Sequence, residues 1–305
     1  MVTISKLNCV LKKWTRCLKM KLKKVCECMK KKTVYYQDKE NDDFFNFSKK
    51  YDKIKFDANY NYVEKGKIKK VVSFCLYYFV AWPVLSFFMY VIQGVKIVGR
   101  KNVKTLKDKG YMIVGNHTHY KDAYISQIGI TAPKRTYIIA NNNAVQLPII
   151  GRIARYLGAI AVPQTISGFK KFYSETEKLL ANKNVIVVYP EAHIWPYYTG
   201  LRDFPLSSFS MAAKNKVPVV PIATTYKKRL FFKSPKAIVF VGKPIFFDKN
   251  LTERQNAMYY RNMSFNFIKE KVFNKDNYTY INYIQKDKDD ENSICFAQQK
   301  QVKTD

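Results

Sequence analysis

Two histidines and an aspartate close an apolar run in the stretch YMIVGNHTHYKDAY, residues 111–124. The chain has three histidines in all, His117, His119 and His193, so the side chain whose charge changes near neutral pH is gathered into one region. YMIVG reads as a strand, NHTHYKD begins at its carboxyl end, and AYISQIGI continues as a helix. Ligands of open α/β sheets bind at the carboxyl ends of strands, so His117 and Asp122 fall where function is expected. On a regular helix, residues five apart point about 140° from each other. The pair can therefore meet only if His117 is still in the turn and Asp122 lies in the first helical turn, where the helix dipole favours a carboxylate. An imidazole held by a carboxylate is a general base that needs a nucleophile. The chain has no G-x-S-x-G elbow, and no cysteine falls near these histidines in sequence, so the hydroxyl to be activated is expected on the substrate. That points to group transfer onto an alcohol.

The elements that must position this pair follow from periodicity. From about residue 96, short apolar runs alternate with helical stretches. YMIVGN, RTYIIA, GAIAVP, NVIVVYP, VPVVPIAT and AIVFVG are the strand candidates. NNAVQLPIIGRIARYL, SGFKKFYSETEKLLAN and LSSFSMAAKNK are the helices between them. Such alternation implies an α/β layer fold, its central sheet covered by helices on both faces. We assign this domain to residues 96–275, with a polar tail, expected to be frayed, over 276–305 and a polar tether or partly ordered linker over 34–66.

The formal net charge of +31 calls for a polyanionic partner such as nucleic acid, anionic lipid or a phosphate-bearing substrate. Two segments favour lipid. Over residues 1–33, Ile4, Leu7, Leu11, Trp14, Leu18, Leu22, Val25 and Met29 recur every three or four positions among lysines, the pattern of an interfacial helix on an anionic membrane. Lysines interrupt this stretch too often for a secretory signal core. From Val71 to Val95 there is no charged residue, and about 20 apolar residues suffice to cross a bilayer. The preceding KGKIKK would hold the front of this membrane segment, residues 67–95, at the cytoplasm, and Pro83 permits a kinked or re-entrant helix. A straight crossing would put the basic catalytic part outside the cytoplasm, so we expect a helix or hairpin that dips into one leaflet, with the protein on the cytoplasmic face of the cell membrane. The six scattered cysteines form no C-x-x-C pair and suggest neither a zinc ribbon nor a disulfide scaffold.

NHTHYKD resembles the histidine, four residues, aspartate motif of the glycerolipid acyltransferases, the family of the 1-acylglycerol-3-phosphate acyltransferases. LPIIGRIARYLGAIAVPQ, VVYPEAHIWP and VPVVPIATT are similar to its further blocks, in the family's order, and the resemblance spans about residues 96–245. It implies an acyltransferase-like mixed sheet. His117 would be the base on the acceptor hydroxyl, Asp122 its orienting partner and Glu191 a holder of the glycerol-phosphate acceptor, with Gly158 beginning the matching second block. Where the family's second block carries a phosphate-binding arginine this chain has Gln164, and the usual glycine and threonine after the proline-glutamate pair are Ala192 and His193. Arg202, with Lys170 or Lys171, is expected to supply the missing cation, and His193 to line the site. His119, Trp195, Tyr197 and Tyr198 are read as loop packing.

The resemblance further implies acyl-CoA or acyl-carrier protein as donor and a lysophospholipid, foremost 1-acylglycerol 3-phosphate, as acceptor, in phospholipid biosynthesis with no bound cofactor or metal. Two other readings stay open at the level of sequence. One is a metal-dependent hydrolase using the three histidines and a carboxylate. The other is a basic nucleic-acid binder, although no finger, recognition helix or RNP signature is present.

Overall fold

The computed structural model describes residues 33–44, 54–230 and 232–286. The basic amphipathic segment expected over residues 1–33 lies outside them except for its last residue. Among the described residues the centre is a seven-stranded sheet of β2 (Lys96–Val98), β3 (Tyr111–Gly115), β4 (Thr136–Ala140), β5 (Ala159–Ala161), β6 (Val185–Val188), β7 (Val219–Lys227) and β8 (Lys236–Val241). The spatial order is β2-β8-β7-β3-β6-β4-β5, and every pairing is parallel except β7 with β8. All six strand candidates are present; β2, a three-residue edge strand, gives no signal of its own.

The sheet is buried on both faces because its central strands, YMIVG and VIVV, are apolar at every position but the terminal glycine. Met112, Val114, Ile186 and Val188 turn to one side, where helices α5 (Ile166–Ala181), α6 (Ser207–Lys214) and α7 (Glu253–Val272) pack. Tyr111, Ile113, Val185 and Val187 turn to the other. They meet α1 (Lys67–Ile92), the 3₁₀ turn Arg100–Leu106, and α2 (Asp122–Tyr124) with its wider continuation Ile125–Ile130. The period-2 alternation of the strands thus sorts the chain into three layers. The helix expected over NNAVQLPIIGRIARYL is two, α3 (Asn142–Gln146) and α4 (Ile150–Tyr156). Pro148 drives the preceding Leu147 to an extended ψ of 130° and ends the first.

Two readings of the ends need correction. The stretch 34–66 is not a free tether where it is described. β1 (Thr33–Tyr36) pairs in parallel with β9 (Asn282–Gln285), and Phe56 and Tyr62 are buried in the core cluster beneath α5. The same pairing orders part of the tail expected to fray. Aromatic and β-branched residues within polar surroundings, TVYY and NYIQ, are enough for a short two-stranded sheet once Val34 and Ile281 find Tyr197 and Tyr226 to pack against.

α1 is one 26-residue helix, not a hairpin. The widened turn Leu76–Ala81 comes just before Pro83 and accommodates the ring that would otherwise clash with a carbonyl one turn back. Only a narrow stripe, Tyr77, Ala81 and Met89, is buried. The helix is fastened to the domain along its length. Ser73 donates to the Tyr156 carbonyl at 2.5 Å, Tyr77 to that of Gln127 at 3.4 Å, and Gln93, just past its end, accepts from Tyr124 at 2.8 Å. Its outward face is apolar and open to solvent, with Phe79 70% and Phe87 56% exposed.

Candidate active site

His117 leaves the end of β3 in the turn and Asp122 opens α2, the geometry their spacing demanded. His117 Nδ1 and Asp122 Oδ2 are 3.1 Å apart, and the same oxygen accepts the backbone N–H groups of Thr118 and His119, both at 2.8 Å. The carboxylate, 2% exposed, therefore closes the turn and holds the imidazole at once. With Nδ1 donating to Asp122, Nε2 is the ring nitrogen with a free lone pair. The ring stacks on Tyr189, centroids 4.4 Å apart and planes 14° from parallel. Tyr189 is fixed in turn by its hydroxyl, which donates to the Asp122 carbonyl at 2.7 Å, and burial pushes its pKa well up so that it stays protonated.

The neighbouring Pro-Glu segment is locked to this turn. Glu191 Oε2 accepts the His117 N–H at 3.0 Å and Arg202 Nη2 at 3.1 Å, while Oε1 accepts the Arg202 N–H at 3.1 Å. Neither side chain of the Glu191–Arg202 pair reaches solvent. Arg202 Nη2 also donates to the His193 carbonyl, and the guanidinium lies over the Trp195 ring. Trp195 N–H and Tyr197 N–H donate to the carbonyls of His117 and Thr118, at 3.2 and 2.9 Å. Trp195 is itself stacked on Tyr283 of β9, and its indole donates to the Asp42 carbonyl at 2.7 Å. The small β1–β9 sheet thus braces the loop that braces the histidine.

A cleft of about 590 Å³ opens beside His117 at the carboxyl ends of the strands. Ile138, Ile139, Val162 and Val188 make its wall apolar, and Asn141, Asn142, Asn143, Ser208, His193 and Asp43 supply polar edges. A hydroxyl brought to Nε2 could give up its proton there and attack a carbonyl carbon lying in the cleft.

Several expected site residues lie elsewhere or act differently. Glu191 has both oxygens taken by the protein, so it positions His117 and is not open to an acceptor. Arg202 is buried against it and is no free cation, because a guanidinium this deep needs its carboxylate. Gln164 Oε1 accepts the Phe56 N–H at 3.2 Å and so ties down the segment before α1. Lys171 is bound to the Ala58 carbonyl at 2.6 Å, and Lys170 borders no described part of the cleft. Gly158 does not line the cleft. Its φ of +103° turns α4 into β5, and a Cβ there would sit 2.7 Å from the Thr136 carbonyl oxygen.

His193 does line the cleft, its Nδ1 3.4 Å from Asp43 Oδ2. His119 is buried between Tyr120 and Tyr197, and desolvation pushes its pKa well below the usual 6.5. Among the described residues no three ligand-type side chains cluster, so the three histidines do not provide the ligand set of the hydrolase reading. Sequence reasoning missed Tyr189 and Asp43; the first lies inside the block VVYPEAHIWP but carries no group that marks a role there, and the second lay in a stretch read as linker.

Residues 94–225 match the family model described as Acyltransferase. The fold is similar to the crystal structure of the 1-acyl-sn-glycerophosphate acyltransferase PlsC from Thermotoga maritima, at 18% identity and a TM-score of 0.51, covering 68% of this chain and 88% of that one. No curated protein matches by sequence. His117, Asp122 and the loop that holds them all fall inside residues 94–225, the span that matches the acyltransferase model.

Proposed function

We propose that the protein moves a fatty acyl group from a thioester of coenzyme A or acyl-carrier protein to the free hydroxyl of a lysophospholipid at the membrane surface. The observation that carries this reading is the His117–Asp122 pair, set 3.1 Å apart at the edge of an apolar-walled cleft inside an acyltransferase domain. Nε2 of His117 takes the hydroxyl proton as the oxygen attacks the thioester carbon. The tetrahedral intermediate collapses with cleavage of the carbon–sulfur bond, and the imidazolium returns the proton to the leaving thiolate. Asp122 keeps the productive tautomer throughout and favours the transient imidazolium. The similar enzyme from Thermotoga maritima is a 1-acyl-sn-glycerophosphate acyltransferase. Here the acceptor is taken as the wider class of lysophospholipids.

The membrane is the second half of the reading. α1 presents Phe79, Trp82, Phe87 and Phe88 to the outside while its inner stripe is packed on the domain. Held against the domain along its inner stripe, α1 offers a membrane its outer face and not its whole circumference. Its outer face is suited to lie in the interface plane, on the cytoplasmic leaflet, drawn there by the positive charge of the chain.

The test is acyl transfer from radiolabelled acyl-CoA and acyl-carrier protein to a panel of lysophospholipids in mixed micelles, with wild type beside His117→Ala. Transfer is expected from at least one donor and is expected to fall by about 10²–10⁴-fold in the variant. Transfer by the variant at the wild-type rate would remove His117 from the mechanism.

A further inference from the structure

We propose that a second hollow, at the amino ends of the strands, seats the phosphate of an anionic membrane phospholipid. The inference goes beyond acyl transfer and rests on the membrane half of the reading above. The hollow measures about 360 Å³. Arg135 immediately precedes β4 and Asn184 immediately precedes β6, so it lies at the end of the sheet away from His117. Lys70, Ser73, Phe74 and Tyr78 of α1 form one wall, and Arg155, near the end of α4, borders another.

Three cations meet there: Lys70, Arg135 and Arg155. Arg135 is set in place from two sides. Its Nη2 donates to Ser73 Oγ at 2.9 Å and to the Tyr156 carbonyl at 2.6 Å, and its guanidinium lies over the Tyr77 ring, 4.1 Å from the centroid. Its Nη1 is buried without a partner among the described residues, and so is Nε of Arg155, which sits beside the Tyr60 hydroxyl. Guanidinium donors withdrawn from water and left unbonded are costly, and a phosphate brings acceptor oxygens and the opposite charge. Glu64, the carboxylate among the described lining residues, has Lys69 3.4 Å away, so the balance of the wall is positive.

The setting makes the phosphate a lipid's. Phe74 lines the hollow and is still 54% exposed, and Val71 and Phe79 continue the open apolar face on either side of it along α1. A phospholipid whose acyl chains lie against that face brings its phosphate to Arg135 and Arg155 without leaving the interface. Gln93, bonded to Tyr124 of α2, marks the other end of the helix, about 30 Å along its axis from Ser73. The lipid seated here is therefore no acyl acceptor; it holds the far end of the domain on the bilayer.

The experiment binds the full chain to phosphatidylcholine vesicles containing phosphatidylglycerol, part of it with a photoactivatable diazirine in an acyl chain, and maps the adducts by mass spectrometry. Adducts are expected on Phe74 or Tyr78. Their yield per bound protein is expected to fall about tenfold or more when Lys70→Gln and Arg155→Gln are combined. The same loss of charge at exposed Lys249 and Lys275, which do not border the hollow, is expected to leave the yield unchanged. Arg135 is kept because it ties β4 to α1. Should the double variant fail to fold, Lys70→Gln alone, at an exposed position, is expected to give a smaller loss of the same adducts. Unlabelled phosphatidylglycerol is expected to compete, and inorganic phosphate, against chloride of equal ionic strength, is not. Competition by inorganic phosphate would assign the hollow to a soluble phosphate ligand and overturn the lipid. So would adducts at Phe74 and Tyr78 that persist undiminished in a folded variant, or adducts confined to Phe79, Phe87 and Phe88. Wild type that fails to sediment with the vesicles would instead sink the membrane reading of α1, and the inference with it.

Discussion

Glu191 ties three backbone and side-chain groups together from a position with no solvent contact: the His117 N–H, the Arg202 N–H and the Arg202 guanidinium. Removing its charge leaves a buried arginine uncompensated, a change that costs about 3–5 kcal/mol. Glu191→Gln is therefore expected to melt several degrees lower and to lose kcat with the acceptor KM little changed, since the proposed base is displaced and the cleft wall is not. Pairing it with Arg202→Met should recover much of the stability but not the rate; recovery of both would contradict a positioning role. At this scale the sequence was informative where partners are near. His117 and Asp122 are five positions apart, and helix geometry alone told where each had to stand. Gln164 and Phe56 are 108 positions apart, and Glu191 and His117 are 74 apart. Nothing in a motif says that such groups are already occupied by each other.

Among the elements, the strands were the most legible, because central strands buried on both faces must be apolar throughout. The 20-residue α7 was the least, since much of it is polar and exposed, although the Thr252–Gln255 capping box marks its start. The apolarity of α1 was plain, but its attachment was not, because the anchors Ser73, Tyr77 and Gln93 bind carbonyls or side chains that no local pattern reveals. The outward face of α1 carries a separable prediction. Replacing Phe79, Trp82, Phe87 and Phe88 by serine should leave the fold intact, because these side chains are exposed, while weakening binding to phosphatidylglycerol vesicles. Each large apolar side chain is worth about 1.5–3 kcal/mol of partitioning when fully buried, so sedimentation of the fourfold variant with vesicles is expected to drop sharply. Undiminished sedimentation would place the membrane contact elsewhere.

For the molecule as a whole, acid should be a denaturant at modest strength. His119 is held neutral in the fold because burial pushes its pKa well below 6.5, the value it regains when unfolded. Between the two values the unfolded chain binds a proton that the folded chain refuses. This contribution to stability is therefore intact above 6.5 and is lost as the pH falls through that value toward the folded pKa. Urea midpoints at about pH 7 and about pH 5 should separate in wild type and converge partly in His119→Gln, which keeps a hydrogen-bond acceptor for the Lys121 N–H. Equal separation in both would assign the acid sensitivity to other groups.

The pairing of β1 with β9 joins Thr33 to Asn282, and Trp195 in the loop beside His117 takes Tyr283 as its stacking partner. During synthesis every residue of the acyltransferase-matched span has been added before that partner exists. A nascent chain halted between Thr225 and Asn282 would thus carry the proposed base and its carboxylate but not the brace that sets the loop against them. The bracing of the loop beside His117 therefore waits for the translation of β9.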